Sequence, residues 1–211
     1  MQNRVDSIVK SCNYHIRSVG NIRKFISADV CKILVHSLVT SRLDYGNALL
    51  SGLPQSLIGR LQRVQNCAAR LVTGTRQHEH ITPILQNLHW LPVYYRSQFK
   101  ILLYTYKSFN DSAPVYLRDQ LQKHQPSRSL RSQSKSLLVV PKVKTSTYEN
   151  RRFDRCAATL WNNLPEEVKH TSKIHVFKKL LKLSFSKLLL VNLVLFSIFY
   201  LLSLFQSLLL L

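Results

Sequence analysis

Two rows of cations are the groups in this chain best placed to do chemistry. Arg60, Arg63 and Arg70 fall on one flank of the segment from Pro54 to Val72, and Arg96, Lys100 and Lys107 share a face of the segment from Pro92 to Phe109. Neither segment contains a carboxylate. Cations in an uncompensated row neutralise phosphate oxygens, giving affinity that is salt-sensitive and blind to sequence. The plainer reading of each row is a solvated helix face. A second tier, Arg128, Arg131, Arg151 and Arg152, lies between Lys123 and Arg155, where nine lysines and arginines stand against Glu149 and Asp154.

The aspartates offer no adjacent pair for two-metal nucleotidyl transfer. Two-metal nucleotidyl transfer needs closely spaced carboxylates, whereas Asp6, Asp29, Asp44, Asp111, Asp119 and Asp154 are scattered, none beside another. The one adjacent acidic pair, Glu166-Glu167, follows Pro165 at an expected helix start, where the helix dipole accounts for it. His78-Glu79-His80 lacks the further ligands a zinc site requires and reads as a loop. No nucleophile elbow, phosphate-binding glycine loop or dinucleotide fingerprint occurs, and no cofactor is implied. Cys12, Cys31, Cys67 and Cys156 form no Cys-x-x-Cys pattern. They read as free, mostly packed thiols of a reducing compartment, with Cys67 on the apolar side of a helix. A nucleophilic Cys67 or Cys156 would need a partner histidine that sequence cannot place.

Helices must carry the cationic rows. Residues 4–19 and 27–50 read as helical, with Ser27 as N-cap, Asp29 in the first turn, and Val30, Leu34, Leu38, Tyr45 and Leu49 near helical spacing. Asp44 and Asn47 are expected to cap that helix or to bond Arg42 or a neighbouring loop. Gly52 ends it, and Pro54 opens the next helix, whose seam is Leu57, Leu61, Val64, Ala68 and Leu71 and whose terminator is Gly74. Leu88 to Pro92 reads as a hydrophobic clamp. It leads into a helix with Tyr95, Phe99, Leu102, Tyr106 and Phe109 on its apolar side. A short extended segment is expected near residues 136–145, with Pro141 confining it to an edge. A helix from Tyr148 to Asn163 follows, in which Trp161 anchors the core and its indole N–H finds a carbonyl. Thr171 or Ser172 caps a last short helix through Phe177 and Leu180. The fold class is therefore mainly α: a helical bundle with a brief extended segment, plus a separate C-terminal hydrophobic helix.

Composition limits the partners. The 211 residues hold 30 Lys+Arg against 10 Asp+Glu, a formal +20, which favours polyanions such as nucleic acid or an anionic membrane surface. The N-terminus lacks the apolar core of a signal peptide. Three regions follow: 1–122, helical; 123–182, basic and ending in short helices; and 183–211, hydrophobic. Residues 188–211 carry no charge over 24 positions and are preceded by Lys178, Lys179, Lys182 and Lys187. That length suffices for a transmembrane helix with a cytosolic N-terminal side. Leu/Phe/Ser-rich read-through translation of a decayed frame accounts for the tail equally directly.

Ser41-Arg42-Leu43-Asp44-Tyr45-Gly46-Asn47-Ala48-Leu49-Leu50, Leu61 through Leu71, His80-Ile81-Thr82-Pro83-Ile84-Leu85 and Leu88-His89-Trp90-Leu91-Pro92-Val93 occur in that order. They are followed by Phe99-Lys100-Ile101-Leu102, Ala113-Pro114-Val115-Tyr116-Leu117, Arg128-Ser129-Leu130-Arg131-Ser132, Leu160-Trp161-Asn162-Asn163-Leu164-Pro165 and Phe177-Lys178-Lys179. This succession, over roughly residues 14–182, resembles the post-palm (thumb) region of LINE-type, non-LTR retrotransposon reverse transcriptases of the jockey and chicken-repeat kind. The resemblance implies a non-catalytic part of an RNA-directed DNA polymerase whose catalytic palm precedes Met1. It also implies contact with that palm and with a template–primer duplex or RNA/DNA hybrid, in the nucleus or cytoplasm. It stops at the hydrophobic tail, which instead suggests a small basic tail-anchored membrane protein, or a decayed product with no selected function.

Overall fold

The computed structural model describes residues 1–125, 136–142 and 151–186. Arg128, Arg131, residues 143–145 of the expected extended segment, the Tyr148 start of the following helix and the 188–211 tail lie outside them. Among the described residues the protein is mainly helical with almost no strand, and no helix there is long and apolar enough to cross a membrane. The chain divides into two compact units, one of Met1–Pro165 and one from Glu166 onward. The first therefore joins the 1–122 region to the beginning of the basic region.

Helix α1 (Gln2–Ile22) buries Val5, Cys12 and Val19, seven residues apart, with Ile8, Val9 and Ile16 beside them. This is the three-and-four spacing of a helix seam, and it packs chiefly against α4 (Gln55–Thr73). The α4 side buries Ile58, Leu61, Val64, Ala68 and Val72, with Leu57 and Leu71 at its margin. The expected seam is thus correct in three of its five members and rotated slightly at its ends. Cys67 is a correction: it lies on the exposed side of α4, because its neighbours Ala68 and Ala69 take the buried positions.

The segment expected as one helix over 27–50 is four pieces: α2 (Ala28–Val35), a π turn (His36–Thr40), α3 (Ser41–Asp44) and a 3₁₀ turn (Asn47–Leu50). Ser27 caps α2 as expected, its hydroxyl accepting from the Val30 N–H at 3.3 Å. The expected stripe is a further correction. Val30, Tyr45 and Leu49 are exposed, whereas Cys31, Val35, Val39 and Leu43 are buried at intervals of four. A strict four-residue interval drifts around a regular α-helix of 3.6 residues per turn, and the wider π turn resets it. Tyr45 turns outward because the chain breaks at Gly46, whose φ is +62°.

Helix α5 (Ile81–Asn87) and the loop to α6 (Val93–Phe109) close over α4. Ala69, Ile84 and Leu85 pack together with Leu88 and Trp90 at their edge, which is the expected clamp. Its polar fastening was not expected: Gln65 Nε2 donates to the Leu91 carbonyl at 2.8 Å, and Gln62 Oε1 accepts from the Val93 N–H at 2.9 Å. A short α7 (Val115–Arg118) follows α6. Among the described residues the extended segment makes one isolated antiparallel bridge, Lys123 with Leu138. It rests on α8 (Phe153–Asn162), which begins after Arg152 because that residue's backbone is extended. The Trp161 indole N–H donates to the Ser136 carbonyl at 3.0 Å, and the ring meets Phe109 with centroids 4.9 Å apart.

In the second unit, α9 (Glu166–Lys169) begins at the acidic pair. Thr171 lies before the cap position of the next helix. Its hydroxyl donates back to the carbonyls of Glu167 and Val168, and the first backbone bond of the helical residues 174–186 runs from Phe177 N–H to the Lys173 carbonyl. The cap position is therefore Lys173, one residue beyond Ser172.

Candidate nucleic-acid interface

Seven residues of an α-helix bring two side chains back to nearly the same direction, within about 20°. Arg63 and Arg70 therefore project together, on either side of Cys67, into a groove of about 780 Å³ formed with the end of α1. Ile16, Gly20, Leu71 and the turn after Gly74 complete it. Arg23, which sequence reasoning passed over, is its third arginine. Its guanidinium donates to the carbonyls of Leu71, Val72 and Ile26 at 2.9 to 3.1 Å. It thereby satisfies the bare C-terminal end of α4, where the helix leaves unpaired acceptors and negative partial charge. Arg70 donates to the Glu79 carbonyl at 2.9 Å, while its buried Nε has no partner. Glu79 itself accepts from the Arg76 N–H at 3.1 Å, so the His78-Glu79-His80 stretch is a turn that braces Arg70. No group of three or more His, Cys, Asp or Glu able to hold a metal occurs among the described residues.

The remaining named cations are not brought to this groove. Arg60 turns to α1 and pairs with Asp6 at 2.5 Å. Arg96 pairs with Asp44, whose carboxylate also accepts from Asn47 Nδ2 at 3.2 Å. Arg42, one of the partners expected for Asp44, donates to the Leu38 carbonyl four residues back. The two rows are thus not uncompensated in the folded chain: acids from other elements meet one arginine in each. The magnitudes separate these pairs. Arg60 and Asp6 keep 32% and 45% of their side chains exposed, so their pair contributes at most about 1 kcal/mol. The Arg96 side chain is only 16% exposed and is committed to the fold.

Lys100 lies over the Tyr104 ring at 5.4 Å, and Lys100 and Lys107 are half-buried with no carboxylate within ion-pair distance among the described residues. In the second tier, Arg151 donates to the Gly52 carbonyl at 3.2 Å and Arg152 to Asp154 at 2.6 Å. Arg151 thereby ties the start of α8 to the turn at Gly52, whereas the Arg152 pair is local to the start of α8. Burial raises the Cys12 thiol pKa to about 11 despite nearby Arg42, and raises those of Cys31 and Cys156.

No protein-family model, curated protein or solved structure matches this chain.

Proposed function

We propose that this chain is a non-catalytic, nucleic-acid-binding helical region of a LINE-type reverse transcriptase, gripping a template–primer duplex or RNA/DNA hybrid by its phosphates. The observation that carries the reading is the pairing of Arg63 and Arg70 in a groove whose lining contains no carboxylate. Arg60 joins them by exchanging Asp6 for phosphate, with Lys100 and Lys107 as outlying contacts. The ordered succession of motifs supplies the family, and the non-catalytic reading rests on the lack of adjacent aspartates. In the intact polymerase the partners are the nucleic acid and the palm.

Binding of a blunt RNA/DNA hybrid to the full chain in neutral detergent, followed by fluorescence anisotropy across a salt series, tests the proposal. Three neutralised phosphates correspond to a log–log slope of roughly −2 to −3. Replacing Arg63 and Arg70 together by Ala should reduce that slope by about two and weaken all sequences equally. An affinity indifferent to salt, or to that double replacement, would dispose of the clamp.

A membrane reading is favoured by one other observation. Lys178, Lys179 and Lys182 are exposed and lead into the charge-free residues 188–211. Under that reading the chain is a small basic tail-anchored protein, and tagged protein resists carbonate extraction from membranes. Extraction into the soluble fraction would reject it.

A further inference from the structure

A second cavity lies beside the arginine groove and differs from it in kind. It occupies about 480 Å³ between the first half of α4, the start of α5 and the start of α6, a size in the range of small-molecule sites, roughly 300–1,000 Å³. No charged residue lines it, although the chain carries +20. Its walls are apolar and aromatic, Ile58, Leu85 and Pro92 with Tyr94 and Tyr95, and its polar groups are the amides of Gln55, Gln62 and Asn66 and the Thr82 hydroxyl. Asn66 also lines the arginine groove, so the two cavities share a wall.

The amides are ordered in advance. Gln62 Oε1 is held by the Val93 N–H, and Gln62 Nε2 donates to Asn66 Oδ1 at 2.8 Å. With its oxygen engaged, Asn66, which lines both cavities, keeps its Nδ2 donor for a ligand. Tyr94 is 47% exposed and stands edge-on to Tyr95, ring centroids 5.4 Å apart. Gly59 leaves open space above the helix: a Cβ built there meets nothing within 4 Å.

We infer that this cavity takes an unpaired nucleobase, stacked on Tyr94 and hydrogen-bonded through its edge to Asn66 and Gln62, while the adjoining phosphate lies on Arg63. A nucleotide is a neutral aromatic plate joined to an anion, and the two adjacent cavities repeat that division. Aromatic stacking with amide contacts to exposed base edges is how single-stranded nucleic acid is held. The inference rests on the phosphate-binding reading for the path of the strand, and it assigns the cavity to bases at a single-stranded end instead of the duplex.

The test compares three ligands on the full chain in neutral detergent: a blunt hybrid, the same hybrid with a short single-stranded overhang, and that overhang made abasic. The abasic form keeps every phosphate and removes the bases. The base-bearing overhang should bind about tenfold more tightly than the abasic one, as stacking of a base on an aromatic side chain implies. Gly59→Leu, which fills the cavity from an open position, and Tyr94→Leu should each return that ratio towards one, and Tyr94→Phe should preserve it. A ratio near one in the unsubstituted chain overturns the inference, as does a ratio that survives both Gly59→Leu and Tyr94→Leu. If the blunt hybrid fails to bind while the base-dependent ratio persists and vanishes in both variants, the duplex clamp falls and the base pocket stands.

Discussion

Single side chains in this protein are assigned by their partners more than by their type. Gly46 is fixed by its positive φ, and the Arg4 guanidinium beside it donates to the Tyr45 carbonyl. Asp44 holds Arg96 and Asn47 together. Asp44→Ala should cost about 1–2 kcal/mol, since it leaves a largely covered guanidinium and a buried amide short of an acceptor. Asp6→Ala should cost well under 1 kcal/mol because that pair is exposed. Equal losses in urea denaturation would show that the two pairs had been ranked wrongly. Cys12 carries a pH prediction. Its folded thiol keeps its proton to about pH 11, whereas the unfolded chain releases it from about pH 9. The unfolded state therefore binds fewer protons in that window. Its contribution to stability is complete below about pH 9 and is lost as pH rises through about 11, by on the order of 1 kcal/mol per pH unit. Cys12→Ala should remove part of the alkaline decline in the denaturation midpoint, and an identical decline in that variant would refute the assignment.

At the scale of elements, irregular pieces do as much as helices. The π turn keeps a four-residue apolar interval facing the core, and Arg23 closes the end of α4. Asn162 is the most consequential of these fasteners. Its side-chain amide accepts from the Leu138 N–H and donates to the Leu138 carbonyl, both at 2.9 Å, doing for the extended segment what a neighbouring strand would do. Asn162→Ala leaves both backbone groups of a buried residue without those bonds, so it should destabilise the first unit by about 2–3 kcal/mol. It should also speed amide exchange at Leu138 and Val139 ahead of α4. Exchange that rises uniformly across α4 and the segment would mean that Asn162 serves global stability only.

Across the whole molecule the charge balance dominates. Asp6, Asp44, Asp111, Asp154 and Glu166 are each engaged by a cation among the described residues, and with all ten acids counted the chain still carries a formal excess of +20. Self-repulsion on that scale opposes compaction and is screened by salt. Added salt that shortens the Debye length from about 30 Å to about 8 Å should therefore raise the thermal midpoint while weakening hybrid binding. The opposite signs keep folding and binding effects apart in one salt series. A midpoint that falls with salt would mean that the ion pairs outweigh the repulsion.

The sequence by itself determined the helical character, the Ser27 and Gly74 caps, the α1 and α4 helices, the Leu88–Pro92 clamp and the anchoring of Trp161, because each rests on local periodicity or on the chemistry of one or two neighbouring residues. Part of the site was legible in the same way: the seven-residue spacing of Arg63 and Arg70 is enough to make them neighbours. Only the tertiary structure decided which cations remain available. Arg60 and Arg96 meet acids 54 and 52 residues away in the chain, and spacing within a helix holds no information about such partners. It likewise brought Arg23 to α4 and enclosed the neutral cavity between three helices. A cavity belongs to the packing of elements, and no single segment of sequence encodes it.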